Sequence, residues 1–130
     1  MGVFTVDLTN QPGELARFCE AVAAENVNLV LCATAQGQTG RVAFIADDEA
    51  AARGALQEAG YDVAEHSSLT VRMTNTPGAG AALFRVLAGA GVNLTLFLPI
   101  RIFDDQFYAV IAVDDADKAR AALGEQVVTE

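Results

Sequence analysis

Asn10-Gln11-Pro12-Gly13 returns as Asn75-Thr76-Pro77-Gly78, and Val27-Asn28-Leu29 returns as Val92-Asn93-Leu94, both at the same spacing (75 − 10 = 93 − 28 = 65). A repeat of this kind sets the architecture before any single element is considered. It divides the 130 residues into two similar modules, 1–66 and 67–130. Length alone would suggest one domain. A module of about 60 residues buries only about 60% of its unfolded surface, so each half is expected to pack against the other or against another chain.

Outward from the repeated turns, the hydrophobic spacing gives the elements. Val3 to Leu8 reads as a strand that Pro12-Gly13 breaks. Leu15, Phe18, Cys19 and Val22 then follow helical spacing, with Pro12 suited to the first turn and Asn26 to a left-handed stop. Leu29 to Thr34 and Val42 to Ala46 form a hairpin across Gln36 to Gly40. Asp47 or Asp48 caps a second helix ending at Gly60, and Tyr61 to Ala64 closes the sheet. The second half repeats this order: a strand at Leu69 to Met73, a helix through Leu83, Val86, Leu87 and Ala90, and a hairpin of Leu94 to Ile102 with Phe107 to Val113. A helix capped by Asp114 or Asp115 follows, then a closing strand at Val127-Val128. Arg53 and Leu56 align with Arg120 and Leu123 at an offset of 67 (120 − 53 = 123 − 56), so the second hairpin region is two residues longer.

Each half therefore reads β-α-β-β-α-β. The fold class predicted is α+β: two ferredoxin-like βαββαβ sandwiches, each an antiparallel four-stranded sheet with two helices on one face. Pro99 falls in the second strand of the second half, which is an edge in this topology and so can hold a proline, at the expense of regular pairing. His66-Ser67-Ser68 is the only linker-like stretch.

Composition narrows the function classes. Hydrophobic residues make up 52% of the chain, enough for a core. The net charge of −9, with eight scattered Lys and Arg, offers no basic stripe for nucleic acid and nothing to hold an anionic membrane. Met1-Gly2 begins like a myristoylation signal, but Val6 stands where Ser or Thr is needed. No apolar run approaches the ~20 residues of a membrane span, and no basic region precedes an apolar one at the N-terminus. The expected compartment is the cytoplasm, which Cys19 and Cys32 fit as small buried hydrophobes rather than a disulfide.

Catalytic constellations are sparse. The one histidine, His66, sits in the linker and is expected to be exposed and idle. One His and two separated Cys are too few for a structural zinc site, so neither a metal nor a cofactor is expected. Asp47-Asp48 and Asp114-Asp115 both precede helices, where capping accounts for them. Gly78-Ala79-Gly80 follows a strand and opens a helix, but Leu83 replaces the third glycine of a dinucleotide loop. Leu96, Phe97 and Leu98 occupy the region of its acidic ribose ligand. What remains is the repeated set Asn10, Pro12, Gly13, Asn28, Asn75, Pro77, Gly78 and Asn93. A glycine admits close backbone approach, helix-start N–H groups favour a carboxylate, and an Asn side chain both donates and accepts. That combination suits an amino acid. The alternative is that Asn10 and Asn75 cap helices and that Asn28 and Asn93 ease helix exits.

At these residues both halves resemble the ACT domain, a regulatory module of amino-acid metabolism: Asn-x-Pro-Gly, an amphipathic helix, then Val-Asn-Leu entering a strand. The pattern is similar to that of the serine-binding regulatory domain of phosphoglycerate dehydrogenase. There, both asparagines contact the effector from opposite sides of a domain pair. The resemblance implies Asn10 facing Asn93 and Asn75 facing Asn28. That pattern carries a His two residues before the first Asn, where this chain has Leu8 and Met73, which argues against serine and for a more apolar side chain. The family usually rides on an enzyme; with no catalytic domain attached, this chain is expected to be a stand-alone tandem pair that regulates and does not catalyse, with an amino acid as its expected ligand. The alternative is a ligand-independent interaction module, or a regulatory subunit of an amino-acid metabolic enzyme, with a homodimer or a partner enzyme as its neighbour.

Overall fold

The run Val3–Thr9 alternates apolar Phe4, Val6 and Leu8 with Thr5, Asp7 and Thr9, the period-2 pattern of a half-buried strand. In the computed structural model, which describes residues 2–129, this run is β1 at the centre of a four-stranded sheet. The first unit continues with α1 (Glu14–Ala23), β2 (Leu29–Gln36), β3 (Thr39–Ala46), α2 (Glu49–Glu58) and β4 (Val63–His66). The strand order is β2-β3-β1-β4, all neighbours antiparallel. Phe18 and Val22 of α1 and Ala52 and Leu56 of α2 meet Phe4, Val6, Leu8, Val42 and Phe44 in one core. Phe44 stacks on Phe4 at 5.3 Å and meets Phe18 edge-on at 5.5 Å.

The second unit repeats the plan with β5 (Ser68–Thr74), α3 (Ala79–Gly89), β6 (Leu94–Phe103), β7 (Gln106–Val113) and α4 (Ala116–Leu123). Its sheet order is β5-β7-β6, again antiparallel. A separate core gathers Leu69, Val71, Met73, Leu83, Leu87, Ala109, Ile111, Ala119 and Leu123. The boundary between the two compact units falls between His66 and Ser67.

Three differences from the sequence reading have physical causes. The expected closing strand at Val127-Val128 is reduced to a single antiparallel bridge, Val71 to Val127, and one hydrogen bond from the Val128 N–H to the Thr70 carbonyl. A 3₁₀ turn, Gly124–Gln126, uses up the chain that would lead into a longer strand. His66 does not lie in a linker. It pairs with Val3 in β4, and its Nε2 lies 2.8 Å from the Thr5 hydroxyl. Cys32 is exposed rather than buried, because it alternates with Leu29 and Leu31, which pack on the core. Both cysteines are free.

The two extra residues of the second half lie in β6, which has ten residues where β2 has eight. The register of β6 on β7 slips once between Leu94 and Leu96 and again between Pro99 and Arg101. Thr95 and Ile100 are thus the inserted residues, one beside Pro99, on an edge strand that tolerates bulges.

Helix ends follow local rules. Asn26, Gly60 and Gly91 all take positive φ just past a helix. In each case the next N–H reaches back to Val22, Leu56 or Leu87, and the left-handed residue bonds the carbonyl three before it. This is the Schellman arrangement.

Candidate functional site

In each unit the chain between the first strand and first helix makes a tight turn. The Glu14 N–H bonds the Gln11 carbonyl at 3.3 Å, with Pro12 and Gly13 between. Gly13 has φ 88° and ψ −13°, the third-position geometry of a type II turn, which demands glycine and favours proline before it. The copy is faithful: the Ala79 N–H bonds the Thr76 carbonyl at 3.2 Å, and Gly78 has φ 88° and ψ −10°. A Cβ built at either glycine would meet nothing within 4 Å, so backbone conformation alone requires them.

These turns form walls of two cavities at equivalent places. The first, of about 240 Å³, is lined by Leu8, Asn10, Gln11, Glu14, Thr34 and Arg41 among others. The second, of about 270 Å³, is lined by Met73, Asn75, Thr76, Phe84, Phe97 and Phe107 among others. Asn10 and Asn75 therefore both line cavities. Pro12, Gly13, Pro77 and Gly78 shape the turn that places them. Asn28 and Asn93 stand at the other end of their own sheets: Leu29 pairs with Ala46, whereas Thr9 pairs with Thr39 at the opposite end of β3. No unit brings its own two asparagines together.

The asparagines do not cap helices. The cap residues are Gly13 and Gly78, without side-chain hydrogen bonds. The Asn10 Nδ2 instead donates to the Gly37 carbonyl at 2.9 Å, and its backbone N–H to Gln38. The Asn75 N–H donates to the Asp105 carbonyl at 2.8 Å. Asn28 and Asn93 do not form the helix exits, which fall to Asn26 and Gly91. Their N–H groups donate to the carboxylates of Asp47 and Asp114 at 3.0 and 2.9 Å. The second aspartates, Asp48 and Asp115, cap α2 and α4. The doubled Asp-Asp carried this signal in the sequence: one carboxylate per pair is surplus to capping.

Charge around the first cavity is paired. Arg41 Nε donates to Asp7 Oδ1 at 2.6 Å, and Arg17 Nε to Glu14 Oε1 at 3.0 Å. The hydrogen bond from Arg41 holds the Asp7 carboxyl below the usual range, and burial pushes the Cys19 thiol up. Among the described residues, no three His, Cys, Asp or Glu gather where they could hold a metal. No helix among them is long and apolar enough to cross a membrane.

Comparison with known proteins places this geometry. No protein-family model and no curated protein matches the chain. Solved structures do. A protein from Bacteroides thetaiotaomicron is 25% identical with a TM-score of 0.84, the match covering 98% of this chain and 90% of that one. The ligand-free regulatory subunit of aspartate kinase from Thermus thermophilus is 20% identical with a TM-score of 0.68, over 94% and 86% of the two chains. The corresponding subunit from Thermus flavus is 18% identical with a TM-score of 0.65, over 97% and 93%. The fold is that of the ACT domain family, in two tandem copies.

Proposed function

We propose that this chain is a non-catalytic regulatory protein that binds an amino acid at the Asn-x-Pro-Gly ends of its units. One observation carries the reading: two copies of the turn, diverged in the residues around them, each wall a cavity. At about 240 and 270 Å³ these fall just under the range of about 300–1,000 Å³ for drug-sized ligands, a size suited to a single amino acid. Asn10 and Asn75 supply polar contacts. Pro12-Gly13 and Pro77-Gly78 set the turns, and Asn28 and Asn93 enter on the family resemblance alone. The groups a catalyst would use have other partners: His66 lies against Thr5, and the paired aspartates hold backbone N–H groups. The shared fold with regulatory subunits of aspartate kinase supports a regulatory role beside a metabolic enzyme, and two free cysteines accord with a reducing, cytoplasmic setting.

Calorimetry of the whole chain against the twenty amino acids tests this; folded protein with no heat from any of them sinks it. The asparagines separate binding from folding. Among the described residues the Asn75 side chain makes no hydrogen bond, so Asn75→Ala is expected to leave stability unchanged while weakening binding. Asn10→Ala loses the bond to Gly37 and costs about 0.5–1.5 kcal/mol as well.

A second reading, self-association, is favoured by Ile102 and Phe103, which are 60% and 66% exposed at the end of edge strand β6. Light scattering over a range of concentrations decides it, and a constant monomer mass removes it.

A further inference from the structure

The two cavities are equivalent in the fold and unlike in chemistry. Matched through the repeat, Cys19 corresponds to Phe84 (84 − 19 = 65) and Gly40 to Phe107 (107 − 40 = 67). Leu31, opposite Phe44, corresponds to Phe97, opposite Ile111 (111 − 44 = 67). Three phenylalanines thus stand where the first unit has a cysteine, a leucine and a glycine. Phe84 meets Phe97 edge-on at 5.4 Å, and Phe97 stacks on Phe107 at 6.2 Å. All three rings line the second cavity with Met73, and Phe84 is 42% exposed there. Apolar surface of this kind, left open in a cavity, gains by being covered.

The polar groups differ in the same sense. In the first cavity the Asn10 amide, the Glu14 carboxylate and the Arg41 guanidinium are already bonded to Gly37, Arg17 and Asp7. A ligand there must displace bonds the chain has already made. Among the described residues, the Asn75 side chain in the second cavity makes no hydrogen bond, and no charged side chain lines the wall. A single uncommitted amide beside three rings matches a ligand with one polar end and one large apolar end.

We infer that the second unit holds the working ligand site, and that it selects an α-amino acid with a large apolar side chain, with Phe84, Phe97 and Phe107 setting the specificity. The inference rests on the amino-acid-binding reading above and names the ligand class of that site.

The test uses the whole chain with phenylalanine and leucine as apolar probes, and serine, aspartate and lysine as polar ones. Titration is followed by calorimetry and by amide chemical shifts. Phenylalanine and leucine are expected to bind at least tenfold more tightly than the polar probes, with shifts concentrated from Met73 to Phe107. Phe84→Ala, at a partly exposed position where truncation leaves the core intact, is expected to weaken phenylalanine about tenfold. Tighter binding of any polar probe, shifts centred on Leu8 to Val42, or an unchanged affinity in Phe84→Ala each overturns this inference and leaves the amino-acid-binding reading standing. Silence from all twenty amino acids overturns both.

Discussion

Asp7 and Arg41 face each other across β1 and β3, joined by two hydrogen bonds of 2.6 and 3.3 Å. The first of these is the main reason the Asp7 carboxyl is held low, with the nearby Arg41 charge adding to it and burial opposing it. A carboxyl lowered on folding contributes stability that is fully present above its unfolded pKa of about 4. That stability is lost as pH falls through the lowered folded value. The melting temperatures of the native chain and Asp7→Asn are therefore expected to differ near neutrality and to converge in strong acid. A difference that stays constant from pH 7 to pH 2 shows that the pair contributes nothing through its charge. Cross-strand facing of this kind is invisible in the sequence, where the partners stand 34 positions apart and only the register of the sheet joins them. The same holds for Asn28 with Asp47 and Asn93 with Asp114: the doubled aspartates were legible, their division of labour was not.

At the scale of elements, the turns were the most legible part. Proline fixes φ at the first central position and glycine admits the positive φ of the second whatever lies around them, and the type II turns at Gly13 and Gly78 follow. Gly78→Ala forces an L side chain into a left-handed conformation with open space around it. It is expected to cost about 1–2 kcal/mol by denaturant unfolding. A cost near zero indicates that the turn relaxes to another geometry. The lengthened hairpin region was equally readable, from the change of offset from 65 to 67. Where the two residues go was not, because bulges at Thr95 and Ile100 are fixed by pairing with β7. The last strand failed for a related reason. Val127-Val128 has strand character, but the 3₁₀ turn before it leaves too few residues to pair, and one bridge remains.

At the scale of the molecule, the chain has two cores, each built from the two helices and the sheet of its own unit. Phe44 is fully buried between Phe4 and Phe18. Phe44→Ala is expected to cost about 3–5 kcal/mol, a large share of the 5–15 kcal/mol of a typical domain. Hydrogen exchange should then show protection falling from Gly2 to His66 while the amides of β5 and β7 keep theirs. Equal loss in both units indicates that the two cores unfold together.

By itself the sequence determined the duplication, the order of the elements up to the last strand, the turn residues and the four asparagines worth testing. All of these follow from spacing and from backbone restrictions that act within a few residues. Tertiary structure alone decided that the Asn10 amide is committed to Gly37 while that of Asn75 has no partner among the described residues. It also decided that Phe84, Phe97 and Phe107 meet around one cavity. Those rings come from a helix and two strands, and only the packing of α3 against the sheet and the bulged register of β6 on β7 bring them within contact. The two halves repeat in sequence because they fold alike; they differ in what they can hold because the same fold gathers different side chains at the same place.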